Sequence, residues 1–479
     1  MDRVVTCIPT VKHPLRVLQF GEGNFLRAFA EVMFDAANAA GATDIGVAIV
    51  TPTPRGSTER FRKQANRYTV LERGLEKGSA VSRSRVITCV ERVYHCLDDF
   101  ADWMALAAEP ELRFVVSNTT EAGIRIHTPD HFDGLPDTYP GKLTKFLYAR
   151  YCHFSGAADK GMIVLPTELI EKNAATLHIC VAEYAQAWGL PSDFSRWLDE
   201  ACVFCNTLVD RIVTGFPQHG TQEIFSQLGY RDDLLDVCEP FALWVIEAGT
   251  AVQKELPLDR AGLPVVFTDD LTPYRERKVR VLNGAHTAMV AVGYLCGLDI
   301  VRDCMRDPLL GTFVRRVVTE EIVPFVPLPT VEVTAFAEAV FERFENPYLD
   351  HALLSIALNT VSKWKARVLP SLHDYYAANG QLPPLLTFSF AALLAFYSGN
   401  TRQAGDTYTV QDDADVLDFF AAHRADDPFE LITAVASHVP FWGEDLTQYT
   451  GFTEKIQVYL TALRTDSRAA VCAILKEGE

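Results

Sequence analysis

Residues 278–286 read Lys278-Val279-Arg280-Val281-Leu282-Asn283-Gly284-Ala285-His286. A lysine that can lose its proton, an amide that can donate to an oxygen and an imidazole form a kit for chemistry at a carbonyl or an alcohol. The surrounding pattern predicts a buried helix. At about 100° per residue, Asn283 falls ~140° and His286 ~80° around the axis from Lys278. All three then share an arc of less than half a turn, with Asn283 and His286 neighbours at i,i+3. Gly284 and Ala285 keep part of that surface small enough for another segment or a ligand to come close. The same residues also fit a plainer description: a solvated lysine, a capping asparagine and a satisfied core histidine. Lysine ordinarily titrates near ~10.4. A useful base therefore needs burial or cationic neighbours, which Arg275, Arg277 and Arg280 could supply.

A second constellation lies near the N-terminus. Leu15–Phe20 reads as a short buried strand, followed at once by Gly21-Glu22-Gly23-Asn24-Phe25-Leu26-Arg27-Ala28-Phe29. Ala28, Phe29, Val32, Met33 and Phe34 then predict a helix. Strand, Gly-x-Gly turn and helix bring backbone N–H groups up to a pyrophosphate. Leu26 stands where the full fingerprint has its third glycine, and turns also use glycine for their own geometry.

The elements that must carry these residues alternate in the N-terminal half. Gly46–Val50, Phe114–Val116 and Met162–Leu165 are short apolar runs suited to a parallel sheet buried on both faces. Helical patterns intervene at Asp98–Ala108 and Leu143–Tyr151, which predicts a doubly wound α/β domain. Beyond Pro273 strand signals fade, and long helical patterns cover Thr330–Phe344, His351–Lys365 and Leu385–Tyr397. The predicted domains are residues 1–272 and 273–479, with Lys278 just past the boundary and the chemistry expected in the cleft between them.

With 479 residues the chain is long for one core and fits two domains. A net charge of −18 speaks against a nucleic-acid partner, and an anionic ligand would need a locally basic pocket. Eleven cysteines are scattered singly except Cys202-Val203-Phe204-Cys205, where helical neighbours predict two buried thiols. An odd cysteine count without a signal segment points to a reducing cytoplasm. The stretch Leu385–Tyr397 is too short to cross a bilayer and reads as a core helix, so no membrane partner is expected. No metal is expected either. Zinc-ligand spacing is missing, and Pro129 spoils a helical pairing of His127 with His131.

Gln19–Ala28, Ser117-Asn118-Thr119-Thr120-Glu121-Ala122-Gly123, Asn206–Ile212, Lys278–Thr287 and Asn346-Pro347-Tyr348 together resemble the polyol-specific long-chain dehydrogenases, the family of mannitol dehydrogenase and the hexuronate reductases. The resemblance spans nearly the whole chain and is greatest to the branch that interconverts tagaturonate and altronate. It implies a Rossmann-like N-terminal domain with a mostly α-helical C-terminal substrate domain. The implied reaction is the reversible, metal-free reduction of a keto-hexuronate to an aldonate. NADH is the implied cofactor, with NADPH kept open by Arg55 and by the lack of an acid after Val50. Fructuronate reduction, polyol oxidation and an inactive nucleotide-binding regulator remain alternatives.

By the same resemblance Lys278 matches the general acid/base and Asn283 an oxyanion donor partnered by Asn173, while His286 orients substrate hydroxyls. The stretch Gln19, Phe20, Gly21, Glu22, Gly23, Asn24, Phe25, Leu26 and Arg27, with Asn118, corresponds to the cofactor site. Ser355 replaces an arginine of the mannitol enzymes' substrate pocket, and Arg275 replaces an acid three residues before the lysine. Both changes disfavour a neutral hexitol. Lys363 matches a substrate-contacting lysine, and Arg367 shares its helix face at i,i+4, a basic surface that suits a sugar-acid carboxylate.

Overall fold

The computed structural model describes residues 4–9, 11–127, 130–402, 405–424 and 427–477. The chain divides into two compact units, Met1–Arg73 with Val81–Leu271, and Gly74–Ala80 with Thr272–Glu479.

The first unit is built on six strands: β1 (Leu15–Phe20), β2 (Gly46–Val50), β3 (Val90–Tyr94), β4 (Phe114–Ser117), β5 (Ile163–Pro166) and β6 (Val203–Phe204). They pair in parallel in the lateral order 3-2-1-4-5-6. This is the doubly wound order whose direction reverses between β1 and β4. Side chains alternate across the sheet. Val17, Val47, Ile49, Phe114 and Val116 enter one core with Val32, Met33 and Phe34 of the helix Ala30–Ala39. Leu18, Phe20, Ala48, Val50 and Val115 enter the other with Leu143, Phe146 and Leu147 of the helix Tyr139–His153. Burial on both faces explains why these strands are continuous apolar runs.

Two local expectations in this unit need correction. The helix predicted from Ala28 starts at Ala30, because Phe29 (φ −129°, ψ −81°) separates it from the single turn Asn24–Arg27. Phe29 stacks on Phe25 at 4.9 Å across the break. The neighbours of Cys202 and Cys205 are not all helical: Ser192–Ala201 ends just before Cys202, and β6 lies between the two cysteines. Both are nevertheless buried, and burial pushes each thiol up to about 12, far from a reactive thiolate.

Two smaller sheets, which the sequence pattern did not announce, belong to the same unit apart from residues Gly74–Ala80. One orders Val213–Gly215, Asp236–Cys238, Tyr68–Glu76 and Ser79–Ile87; the other orders Val265–Thr268, Leu243–Glu247 and Thr207–Asp210. Ser79–Ile87 is rich in Ser and Arg and largely exposed, so it lacks the apolar signal of a buried strand.

The second unit is helical. Thr330–Phe344 forms over its predicted span, and Pro384–Ser398 contains the predicted Leu385–Tyr397, buried throughout that stretch. His351–Lys365 is not one helix. It divides into Leu353–Ile356 and Thr360–Arg367, with Asn359 left-handed at φ 54°. Among the described residues no helix is long and apolar enough to cross a membrane.

Lys278–Gly284 is a π-helix, continuous with the α-helix Ala285–Leu295. Its i→i+5 ladder replaces i→i+4, so the 100° step does not hold here. Asn283, five residues after Lys278, comes round onto the lysine's face of the helix rather than ~140° away.

Candidate active site

In the helical unit, the segment from Lys278 to His286 joins groups with very different degrees of internal commitment. His286 is buried, its ring stacked on Phe344 at 4.1 Å and set edge-on to His351 at 5.2 Å. Burial holds its titration well below the ordinary imidazole range, and the charges of His351, Arg343 and Arg367 add to the effect. The neutral ring leaves Nε2 without a hydrogen-bond partner among the described residues. A buried polar atom without a partner calls for a ligand or water. Asn283 is half-buried; its carbonyl accepts from Thr287 Oγ1 at 2.9 Å, while its side-chain amide has no partner among the described residues. Lys278 is also half-buried. Arg277 lies over the Phe336 ring at 4.5 Å, and Arg280 donates to Asp374 at 2.5 Å. Both cations thus have engagements of their own.

The basic pair on Thr360–Arg367 divides in the same way. Lys363 Nζ donates to the Ile356 carbonyl at 3.0 Å. Arg367 is half-buried and has no hydrogen-bond or ion-pair partner among the described residues. Burial lowers the titration of both side chains, as expected for cations withdrawn from water. Ser355 is exposed and donates to Ala352 O at 2.7 Å.

In the first unit, Gly21–Asn24 and Asn118 follow β1 and β4 at the carboxyl edge where the strand order reverses. Asn118 N–H donates to Phe20 O at 3.1 Å, and its side chain donates to Thr167 Oγ1 at 2.9 Å, tying together the ends of β1, β4 and β5. Gly21 has φ +129°, and a β-carbon there would stand 3.2 Å from the Asn118 carbonyl oxygen. Gly23 is exposed, and a β-carbon on it would meet no atom within 4 Å. That open backbone is what close approach of a pyrophosphate requires.

The remaining turn residues support it from behind. Gln19 Nε2 donates to Gly21 O at 2.8 Å and to Glu31 at 2.7 Å. Phe20 packs edge-on to Trp103, and buried Leu26 lies beneath Gly21. Arg27 is buried, donating to Leu234 O and to Asn24 Oδ1, each at 2.5 Å, with Asp236 at 3.2 Å. Glu22 leans toward the chain that follows β2, a placement that the Gly-x-Gly spacing alone did not reveal.

Asn173 is buried at the start of the helix Asn173–Ala187. Its Nδ2 donates to the carbonyls of Pro166 (2.9 Å), Glu168 (3.1 Å) and Thr207 (3.1 Å), and its Oδ1 accepts from Thr207 N–H at 3.0 Å. Its amide is therefore fully engaged in joining three backbone segments. Pro129 lies outside the described residues. Among those described, no group of three or more His, Cys, Asp or Glu is gathered to hold a metal ion.

Comparison with known proteins agrees with this division of the chain. The family models described as "Mannitol dehydrogenase Rossmann domain" and "Mannitol dehydrogenase C-terminal domain" match residues 15–260 and 270–464. The chain is 46% identical to altronate oxidoreductase of Shigella flexneri and 45% identical to that of Escherichia coli strain K12, in each case over 95% of both chains. Two solved structures share the fold. Mannitol 2-dehydrogenase of Pseudomonas fluorescens, in a ternary complex with NAD and D-mannitol, has a TM-score of 0.68 at 22% identity, covering 97% of this chain and 95% of that one. A substrate-free D-sorbitol dehydrogenase has a TM-score of 0.81 at 21% identity, covering 97% and 96%. The chain belongs to the mannitol dehydrogenase family.

Proposed function

We propose that this protein is an altronate oxidoreductase, reducing tagaturonate to altronate with NADH and running reversibly. The observation that carries the reading is the 45–46% identity to altronate oxidoreductases over 95% of both chains. The local chemistry supports it. The open backbone at Gly23, beside the close-packed Gly21, fits a dinucleotide pyrophosphate. The Asn283 amide, His286 Nε2 and Arg367, each without a hydrogen-bond partner among the described residues, fit an oxygen-rich anionic substrate.

When bound, the nicotinamide supplies the hydride that reaches the carbonyl carbon. Asn283 donates to the carbonyl oxygen and stabilises the alkoxide as charge develops there. Lys278 gives that oxygen its proton in reduction and removes it in oxidation. His286, kept neutral by burial, holds a substrate hydroxyl through Nε2. Asn173 is assigned no donor role, because both hydrogens of its amide already serve backbone carbonyls.

Purified protein should be assayed with tagaturonate, fructuronate and the neutral ketose fructose, each with NADH and with NADPH. The fastest turnover is expected for tagaturonate with NADH. Faster turnover of fructuronate or fructose, or oxidation of neither cofactor with any substrate, would overturn the assignment.

A further inference from the structure

In sheets of this order, the acid that holds the adenosine ribose of NAD ordinarily comes from just beyond the second strand. Here β2 ends at Val50 and is followed by Thr51-Pro52-Thr53-Pro54-Arg55-Gly56, with no acid. The fold brings one in from the turn after β1. Glu22 Oε1 lies 2.5 Å from the point that a β-carbon on Gly56 would occupy, and Thr51 Cβ lies 2.5 Å from the same point. Carboxylate and Thr51 thus converge at the carboxyl end of β2, and any side chain at position 56 would displace them.

We infer that Glu22 sets the choice of dinucleotide: its carboxylate accepts hydrogen bonds from the adenosine ribose hydroxyls of NADH and repels the 2′-phosphate of NADPH. The inference rests on the reading of the Gly21–Gly23 turn as the pyrophosphate site. The Glu22 carboxylate reaches from that turn toward the end of β2, where the ribose must lie once the pyrophosphate is on the turn. Glu22 is half-buried, and burial raises its titration above the ordinary carboxylate range, opposed by the backbone N–H groups of its own residue and of Ser57 and by the charges of Arg27 and His95. An acceptor fixed in this way is preorganised for two vicinal hydroxyls. A phosphate in their place would put like charges together in a partly desolvated site. Arg55, exposed on the same segment, is the cation that would welcome that phosphate if the carboxylate did not dominate.

The test is fluorescence titration of the full chain with NADH and with NADPH, for wild type, Glu22→Gln, Glu22→Ala and Arg55→Ala, with thermal melts to verify folding. Wild type should bind NADH more tightly. Glu22→Ala should weaken NADH roughly 10–150-fold, the worth of a charge-assisted hydrogen bond. Glu22→Gln, which keeps the shape and removes the charge, should tighten NADPH and so shift the ratio of the two dissociation constants. Arg55→Ala should leave NADH affinity unchanged. A purely structural role for Glu22 would weaken both dinucleotides together, and that result, or an unchanged ratio, would overturn the inference while leaving the cofactor site in place. Binding of neither dinucleotide by wild type would instead overturn the reading of the turn, and this inference with it.

Discussion

Gly284 and Arg367 meet backbone to backbone: a β-carbon on Gly284 would stand 2.9 Å from the carbonyl oxygen of Arg367. Gly284 closes the π-helix that starts at Lys278, and Arg367 ends the helix that starts at Thr360. The absence of a side chain at one position therefore sets how closely the segment bearing the Arg367 guanidinium approaches the segment of Lys278, Asn283 and His286.

Gly284→Ala should accordingly destabilise the protein despite alanine's better helix propensity. Overpacking against a backbone atom typically costs ~1–3 kcal/mol. Chemical denaturation monitored by circular dichroism would measure this. Unchanged or increased stability would mean that the two segments separate without cost.

Gly23→Val offers a clean probe of the cofactor turn. No atom lies within 4 Å of a β-carbon there, and φ of −69° suits any residue, so the variant should fold normally. Its branched side chain would occupy the space a pyrophosphate needs. NADH affinity by calorimetry should fall strongly with the melting temperature preserved, and an unchanged dissociation constant would place the cofactor elsewhere.

Lys278→Ala should retain NADH binding and lose turnover by ~10²–10⁴-fold, the usual worth of a general acid–base group. Steady-state rates near neutral pH provide the measure. Retention of more than about a third of wild-type activity is incompatible with the proposed proton transfer.

Arg367→Met and Lys363→Met should separate two cations that share a helix. Lys363 already donates to Ile356 O, whereas Arg367 has no partner among the described residues. Loss of a charge-assisted contact to a carboxylate corresponds to roughly 10–150-fold. The KM for tagaturonate should rise by that amount in Arg367→Met and much less in Lys363→Met, with the NADH KM unchanged in both. The opposite order would make Lys363 the carboxylate anchor.

Asp236 gives a pH signature to the support behind the turn. Burial pushes its carboxyl from 3.8 up to about 7, outweighing the opposing charge of Arg27 at 3.2 Å. Between these two values the folded chain holds more protons than the unfolded chain, so this group's contribution to stability falls as pH rises through that window. Asp236→Asn should remove that slope. Urea denaturation from near pH 4 to near pH 8 should show wild type losing on the order of 3 kcal/mol relative to the variant. Parallel stability curves would assign Asp236 an ordinary titration.

Much of the frame was legible without coordinates. Gly46–Val50 and Phe114–Val116 are apolar without interruption because both faces of their strands are covered, and that local property survives in the sequence. Gly21 marks a turn directly after β1 because its φ of +129° favours glycine, and Gly23 leaves the backbone beside it uncovered. Lys278, Asn283 and His286 announce their chemistry by type and spacing.

What the spacing could not supply was the partner of each group. Asn173 and Asn283 are the same residue type, yet the first has its amide engaged by Pro166, Glu168 and Thr207 while the second keeps its amide without a partner among the described residues. The same distinction separates Lys363 from Arg367 four residues later. Glu22 reaches the end of β2 only because β1 and β2 pair side by side, and the π-helix that turns Asn283 toward Lys278 carries no local signature that a 3.6-residue period would detect. Periodicity and turn chemistry are properties of neighbouring residues, so the sequence by itself determined the elements and the kinds of groups on them. Whether each group is satisfied or left open depends on segments far away in the chain, and only their packing decided that.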